Sequence, residues 1–170
     1  MVTLTSSWEK AVVRWECAHV DPMDRSRVCA RVAAAVAQHA LSLAQVPHKA
    51  PVVTYVGPDD PGYIAGAAAA MYPDGLRMDI FQREVRTSTV LHEIAHLLTE
   101  DPLDCMELRR LNERPMHGPL FLQNYLWLLG RLMGPAYNPF YLRGTMPAVL
   151  SPGAIPLHPC VWGRQRTDLA

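Results

Sequence analysis

The sequence lacks several features that would assign it to a common functional class. Sixteen Lys and Arg balance sixteen Asp and Glu, so no net charge attracts the chain to nucleic acid or to an acidic membrane surface. No apolar run approaches the roughly 18 residues of a membrane span, and no cationic start with a following apolar stretch marks the N-terminus. We therefore expect a soluble, cytoplasmic protein with no membrane partner.

Cysteine is also scarce, and its spacing is that of neither a zinc ribbon nor a redox motif. The four cysteines contain no C-x-x-C pair, and they are scattered at Cys17, Cys29, Cys105 and Cys160. Disulfide scaffolds are usually short and cysteine-dense, so free thiols in a reducing compartment are expected. The pairs Cys17 with His19 and His158 with Cys160 have no matching partner pair, and neither is a candidate metal site.

A H-E-x-x-H motif stands out within an apolar run, at His92, Glu93 and His96. On a helix, residues i and i+4 project from one face, so both imidazoles would point to one place with the carboxylate beside them. Neutral imidazoles hold Zn²⁺, and a nearby carboxylate takes a proton from the water that the metal activates. The motif predicts a zinc site with Glu93 as general base.

A catalytic zinc site normally takes three protein ligands, so a third must lie elsewhere in the chain. The compact H-E-x-x-H-x-x-G-x-x-H pattern fails, because Thr99 and Pro102 stand at its glycine and third histidine. His117 opens an H-G-P segment ahead of an apolar stretch and is our candidate. Glu113 is an alternative ligand, although Pro115 argues against a continuing helix there.

These two histidine motifs resemble those of SprT-like zinc metallopeptidases, which pair H-E-x-x-H with H-G-P-x-F. The chain is also similar to a small group of predicted metallohydrolases of actinobacteria and their phages. In that group, the order along the chain is a short RSxVY helix, a strand pair, the motif L-H-E-x-A-H, the motif H-G-P-x-F and an MGP…LR segment. The matching residues here are 25–28, 91–96, 117–121, 133–135 and 142–143. The resemblance covers residues 20 to 145 and implies zinc ligands at His92, His96 and His117 and a catalytic Glu93, but no particular substrate.

The N-terminal part of the sequence predicts two helices. Ser6 and Glu9 have the spacing of a capping box before a short helix with Trp8 and Trp15 on its apolar stripe. Asp21 followed by proline indicates the start of a longer second helix that ends before residue 47. The expected buried face of this second helix contains Val28, Val32, Val36 and Leu43.

The middle of the chain predicts a small antiparallel sheet. Residues 51–56 are β-branched and bounded by proline, as is typical of a buried strand, and residues 63–81 form a hairpin around the turn at 73–75. One hairpin strand could be the sheet edge beside the zinc, where an extended peptide pairs with it. An ordinary hairpin without substrate contact is the alternative.

The C-terminal part predicts the motif helix, capped by Thr87 or Ser88 and ending near Thr99, then a short helix over 103–112 and a last helix over 119–133. The expected core residues of the last helix are Leu120, Phe121, Tyr125, Leu128, Leu129 and Leu132. Six of the fifteen prolines follow Gly134, and this tail is expected to be extended. The apolar residues that favour its docking over disorder are Val149, Leu150, Ile155 and Trp162.

The sequence as a whole predicts an α+β, zincin-like metallopeptidase domain over 1–145 with a Pro-rich tail over 146–170, because 170 residues with 49% hydrophobic content suffice for one core. The expected activity is zinc-dependent hydrolysis of a peptide or protein substrate. Tyr137, Tyr141 and Arg143 lie in a suitable region for an oxyanion donor, but without geometry none is selected.

Two alternatives stay open. The chain could be a non-enzymatic, zinc-stabilised phage structural or assembly protein associated with the virion, its tail docking to a protein partner. A DNA-associated protease is disfavoured by the neutral charge and the missing ribbon.

The remaining polar candidates are expected to be structural or solvated rather than ligands: His39, Asp101, Asp104 and Glu107.

Overall fold

A computed structural model describes residues 7–45, 50–72, 75–99, 117, 119–147 and 150, with only the backbone described at 7–9 and 119–120. This part of the chain is a mixed α+β structure, as expected. Its five α-helices are α1 Ser7–Trp15, α2 Ala30–Leu43, α3 Thr87–Thr99, α4 Pro119–Leu132 and α5 Pro139–Gly144. Its strands are β1 Val52–Tyr55, β2 Ala69–Met71 and β3 Arg77–Ile80.

The three strands form one sheet in the order β1-β3-β2. The predicted hairpin is confirmed, because β2 pairs with β3 antiparallel, with Ala70 opposite Asp79. The expectation of a purely antiparallel sheet is wrong, because β1 runs parallel to β3. No tight turn joins β1 to β3, and residues 56–72 carry the chain to the opposite edge before β3 enters between the other two strands.

The predicted start of the second helix at Asp21 and the predicted helix over 25–28 are both wrong. Residues 24–29 are not helical, Val28 pairs with Val85 through two backbone hydrogen bonds of 2.8 and 3.0 Å, and α2 begins only at Ala30. The capping side chains in this segment serve another helix instead. Asp24 accepts a hydrogen bond from the Ser88 backbone N–H, and Ser26 from the Thr87 N–H, at the start of α3.

The buried face of α2 also differs from the prediction. Val32 and Leu43 are each 42% exposed, whereas the fully buried positions are Ala33, Ala37, Ala40 and Leu41. Alanine lets neighbouring segments approach closely, so this helix packs through its small side chains rather than through its valines. A hydrophobicity pattern that ranks valine above alanine therefore selects the wrong face.

The core is built mainly from the motif helix α3 and from α4. Their fully buried large side chains are Leu91, Ile94, Phe121, Leu122, Tyr125, Leu126, Leu128 and Leu129. Burying one such side chain contributes about 1.5–3 kcal/mol relative to leaving it exposed, so these two helices dominate the stability of the domain. The predicted core residues of α4 are confirmed where their side chains are described, except that Leu132 is only partly buried and the Leu120 side chain lies outside the described set.

The chain beyond Gly134 is not extended as expected, at least as far as residue 147. A 3-10 helix covers Pro135–Tyr137, and α5 follows with Asn138 as its cap, whose side chain accepts from the Phe140 N–H. Proline opens both helices, where its missing N–H is not needed. Leu150 is fully buried, while the other residues that favour docking of the tail lie outside the described part of the chain.

Several other predictions also fall outside the described residues: the Ser6 capping box, the helix over 103–112, Glu113 and the tail beyond 150. Where the chain is described, no helix is long and apolar enough to cross a membrane.

Candidate metal centre

The candidate centre is built on α3, whose position is fixed at its N-terminus by the preceding segment of the chain. The Asp24 carboxylate accepts from the Ser88 N–H at 2.7 Å, and the Ser26 hydroxyl accepts from the Thr87 N–H at 2.9 Å. These contacts satisfy two of the free N–H groups that every helix start exposes. They hold the helix one turn ahead of His92, the first residue of the motif.

The three predicted histidine ligands come together. His92 and His96 project from α3 as the i and i+4 geometry requires, and His117 approaches them from the segment that precedes α4. The His92 Nε2 atom is 3.2 Å from the His96 Nε2 atom and 3.0 Å from the His117 Nε2 atom. The candidate ligand atoms of all three residues lie within 4.8 Å of one another.

This cluster of nitrogens is suited to a metal ion. A tetrahedral ion with metal–nitrogen bonds of 2.0–2.1 Å places its ligand nitrogens about 3.3 Å apart, close to both observed distances. Hydrogen bonds alone account for the cluster poorly. The His92 Nε2 atom has one lone pair or one proton, so it cannot form good hydrogen bonds to His96 and His117 at once.

The other nitrogen of the His92 ring contacts a carboxylate that the sequence analysis missed. The His92 Nδ1 atom lies 2.7 Å from the Glu16 Oε1 atom. Burial lowers the pKa of His92, but the charge and hydrogen bond of Glu16, together with the charges of Glu93 and Asp21, outweigh burial, and the net pKa is raised. Glu16 is separated from His92 by 76 positions and belongs to no ligand motif, so no local pattern identifies it.

The pKa of His96, in contrast to that of His92, is lowered. Its burial, together with the neighbouring His92 and His117 rings, lowers its pKa to about 2. A histidine that stays neutral keeps a lone pair available for coordination, because the metal and the proton compete for the same nitrogen. The ring of His96 is therefore held in the form that binds a metal.

Two aromatic side chains of α4 enclose the cluster. The Phe121 ring centroid lies 4.8 Å from that of His92, 4.5 Å from that of His96 and 4.8 Å from that of His117. The Tyr125 ring lies 5.5 Å from the His92 ring. Both residues were predicted as core and are core, but they also form an apolar wall that fixes the orientation of the imidazoles.

Glu93 points toward the edge strand β2. Its Oε2 atom accepts a hydrogen bond of 2.8 Å from the Met71 backbone N–H. Burial raises the pKa of Glu93, and the neighbouring His92 charge and the Met71 hydrogen bond offset only part of that increase. A carboxylate with a raised pKa is a stronger base than an exposed one, as proton abstraction near neutral pH requires.

The outer edge of β2 lies on the side of Glu93. The Ala68 carbonyl and the Tyr72 N–H bond to Phe81 and Arg77, so these residues direct their backbone groups toward β3. Because successive residues of a strand alternate, Ala69 and Met71 direct theirs away from β3. The hydrogen bond from the Met71 N–H to Glu93 confirms this direction.

The remaining candidates from the sequence lie elsewhere. His39 and Tyr141 are exposed, and Tyr137 is buried among the charges of Asp24 and Arg86, near the start of α3. Burial is the main cause that raises the pKa of Tyr137 to about 12. The acidic candidates Asp101, Asp104, Glu107 and Glu113 fall outside the described part of the chain.

Comparisons of the chain with models of known protein families, with curated proteins and with solved structures give no match.

Proposed function

We propose that this chain is a zinc-dependent metallopeptidase built on a zincin-type domain. The observation that supports the proposal is the convergence of three histidine Nε2 atoms beside a buried glutamate that faces a strand edge. Each part has a separate role in hydrolysis, and the resemblance of the motifs to SprT-like peptidases favours the same reaction.

His92, His96 and His117 would hold the ion, and their three nitrogens leave a fourth position open, as in catalytic zinc sites. When bound, zinc lowers the pKa of its water to about 7 and polarises the substrate carbonyl. Nitrogen ligands also suit other transition metals, so zinc is proposed from the donor set together with the H-E-x-x-H motif.

Glu93 is the proposed general base. The Met71 N–H holds the Oε2 atom, and the other oxygen is the one proposed for proton transfer. In the proposed reaction Glu93 takes a proton from the attacking water and later gives it to the leaving amine. Its raised pKa favours both steps, because the group must be protonated and deprotonated in each cycle.

The substrate is proposed to be an extended peptide. The Ala69 backbone groups and the Met71 carbonyl face away from β3, on the side where Glu93 lies, and a peptide in β conformation could pair with them, while the Met71 N–H is engaged by Glu93. Such pairing would place successive peptide bonds along the edge beside the three histidines. The same backbone groups offer nothing specific to nucleic acid, in agreement with the neutral charge.

The first experiment measures zinc per chain and hydrolysis of a casein or peptide library by the same preparations. The variants are wild type, Glu93→Gln, His117→Ala and His39→Ala, the last replacing an exposed histidine as a matched control. We expect one zinc in wild type, Glu93→Gln and His39→Ala, a sharp loss in His117→Ala, and hydrolysis only by wild type and His39→Ala.

Two results would contradict the proposal in different ways. Equal hydrolysis by wild type and Glu93→Gln would remove the catalytic role of the glutamate. Stoichiometric zinc without any hydrolysis would favour the non-enzymatic, zinc-stabilised protein, in which the ion joins α3 to the segment before α4.

A further inference from the structure

Glu16 has the position of a residue that orients a metal ligand. Glu16 is 9% exposed, and its Oε1 atom lies 2.7 Å from the His92 Nδ1 atom. Burying a carboxylate is costly unless a partner compensates, and the imidazole N–H is that partner here. The contact therefore has to be made in the folded protein.

The backbone around Glu16 is unusual in a way that serves this contact. Residues Glu16–Val20 form a π-helix directly after α1, closed by a hydrogen bond of 2.9 Å from the Asp21 N–H to the Glu16 carbonyl. Single π turns are rare and occur frequently at functional sites. Here two adjacent residues are both buried at the junction: Trp15 bonds to Thr145, and Glu16 bonds to His92.

A second side chain supports Glu16 from α4. Tyr125 is 1% exposed, and its ring packs 5.5 Å from the His92 ring. Its hydroxyl donates to the Ser88 carbonyl at 3.4 Å, and burial together with the neighbouring Glu16 carboxylate raises its pKa. The Glu16 carboxylate thus contacts the imidazole through its Oε1 atom, with Tyr125 as its neighbour on α4. Neither the position of Glu16 nor that of His92 can change without breaking a buried contact.

We propose that Glu16 is a positioning residue that fixes the tautomer and the orientation of His92 for metal binding, with Tyr125 as its support. When the Nδ1–H donates to Glu16, the lone pair of the ring is left on Nε2, which faces His96 and His117. Carboxylate partners of this kind raise the basicity of a metal-bound imidazole, and their removal typically costs 10–100-fold in metal affinity. The inference rests on the proposed metal site, but it does not depend on the reaction performed there.

The test measures zinc affinity by competition with a chromogenic chelator for wild type, Glu16→Ala, Glu16→Gln and Tyr125→Phe. Glu84→Gln, which removes an exposed carboxylate from the segment between β3 and α3, is the matched control. We expect affinity to fall about 10–100-fold in Glu16→Ala. A smaller loss is expected in Glu16→Gln, whose carboxamide oxygen still accepts from Nδ1–H, and in Tyr125→Phe, while Glu84→Gln should match wild type.

A readout of ligand geometry separates positioning from general stability. The visible absorption of the Co²⁺-loaded protein should change in Glu16→Ala, because a reoriented His92 alters the ligand field, and should return toward wild type in Glu16→Gln. Thermal melting of the metal-free variants shows which of them fold. If Glu16→Ala does not fold, the proposal is decided on Glu16→Gln and Tyr125→Phe.

The outcomes are distinguishable from those of the proposed function. Zinc affinity and cobalt spectra that match wild type in every folded variant of Glu16 and Tyr125 would overturn the positioning role and leave the peptidase proposal intact. A wild-type protein that binds zinc but cleaves no peptide refutes the peptidase alone, and the affinity differences still decide the role of Glu16. A wild-type protein that binds no metal overturns both proposals.

Discussion

Replacing Asp24 should destabilise the protein through the start of the motif helix. The carboxylate accepts three hydrogen bonds: from the Ser26 N–H at 2.9 Å, from the Ser26 hydroxyl at 2.5 Å and from the Ser88 N–H at 2.7 Å. Asp24 is 3% exposed and Ser88 is 1% exposed, so water cannot readily replace the lost acceptor in Asp24→Ala. The Ser88 N–H would then be buried without a partner.

The expected loss follows from these contacts. Leaving a buried donor unsatisfied costs about 1–3 kcal/mol, and removing a helix cap costs about 0.5–2 kcal/mol. The two figures describe overlapping interactions, so we expect a decrease of about 2–3 kcal/mol in the free energy of unfolding of Asp24→Ala. Asp24→Asn retains an acceptor oxygen but loses the charge, and should lose about 1 kcal/mol.

The stabilisation should also depend on pH. Burial raises the pKa of Asp24, but hydrogen bonds from Ser26 and Ser88 outweigh burial, and the pKa in the folded protein is below its ordinary value. The folded state therefore favours the ionised form. The contribution is fully present above the unfolded-state pKa of about 3.9 and is lost as the pH falls through the lower, folded-state pKa. The difference between wild type and Asp24→Asn should shrink over that range.

The assay is urea denaturation followed by circular dichroism, with chelator present so that bound metal does not contribute. Asp59→Asn, which changes an exposed aspartate of the loop after β1, is the control. A loss in Asp24→Ala no larger than that in Asp59→Asn would refute the capping argument. So would a loss in Asp24→Asn that stays constant as the pH falls below about 4, measured where both proteins are still folded in the absence of urea.

Two further substitutions test the packing around the site. Gly75, in the turn between β2 and β3, has a φ of +66°, and an added Cβ would overlap the buried Leu97 side chain of α3. Gly66→Ala is its control, since Gly66 has a φ of +85° and open space around it. In urea denaturation, Gly75→Ala should lose at least about 1 kcal/mol more than Gly66→Ala, and equal losses would contradict the predicted overlap. The Tyr137 hydroxyl is buried without a hydrogen-bond partner among the described residues, so Tyr137→Phe should leave the free energy of unfolding unchanged or up to about 1 kcal/mol higher. A decrease of more than about 1 kcal/mol in the free energy of unfolding would mean that the hydroxyl has a partner, such as a buried water.

The parts of the site that the sequence predicts are those set by local geometry. His92 and His96 meet because they are one helical turn apart, and an apolar run bounded by Thr87 and Thr99 is enough to predict that helix. The hairpin of β2 and β3 is local in the same sense. His117 is not local. The need for a third ligand and the H-G-P segment ahead of an apolar stretch predict it, and the resemblance of that segment to SprT-like motifs implies the same ligand.

The wrong predictions arose where the local chemistry was correct but the partner was distant. The sequence predicts Asp21 as the cap of the helix that follows it. The side chains of this segment that do cap a helix are Asp24 and Ser26, and they cap α3, whose first residues lie about 60 positions later. The valines of α2 are hydrophobic, yet alanines form its buried face because the packing there is close. Neither fact can be obtained from one sequence without knowing which elements are neighbours.

Glu16 shows why the orientation of the centre is harder to predict than its ligands. The segment from Glu16 to Val28 contacts α3 and the residues just before that helix at four points. These are Glu16 with His92, Asp24 with Ser88, Ser26 with Thr87, and Val28 with Val85. These contacts are in reverse order along the two segments, so the earlier one runs antiparallel beside the motif helix and the residues before it. A ligand needs a particular atom at a particular spacing, which leaves a motif in the sequence. An orienting residue needs only a hydrogen-bond acceptor that the fold brings next to the imidazole, and any glutamate in the sequence could supply one. Only the structure shows which glutamate is buried against the ring.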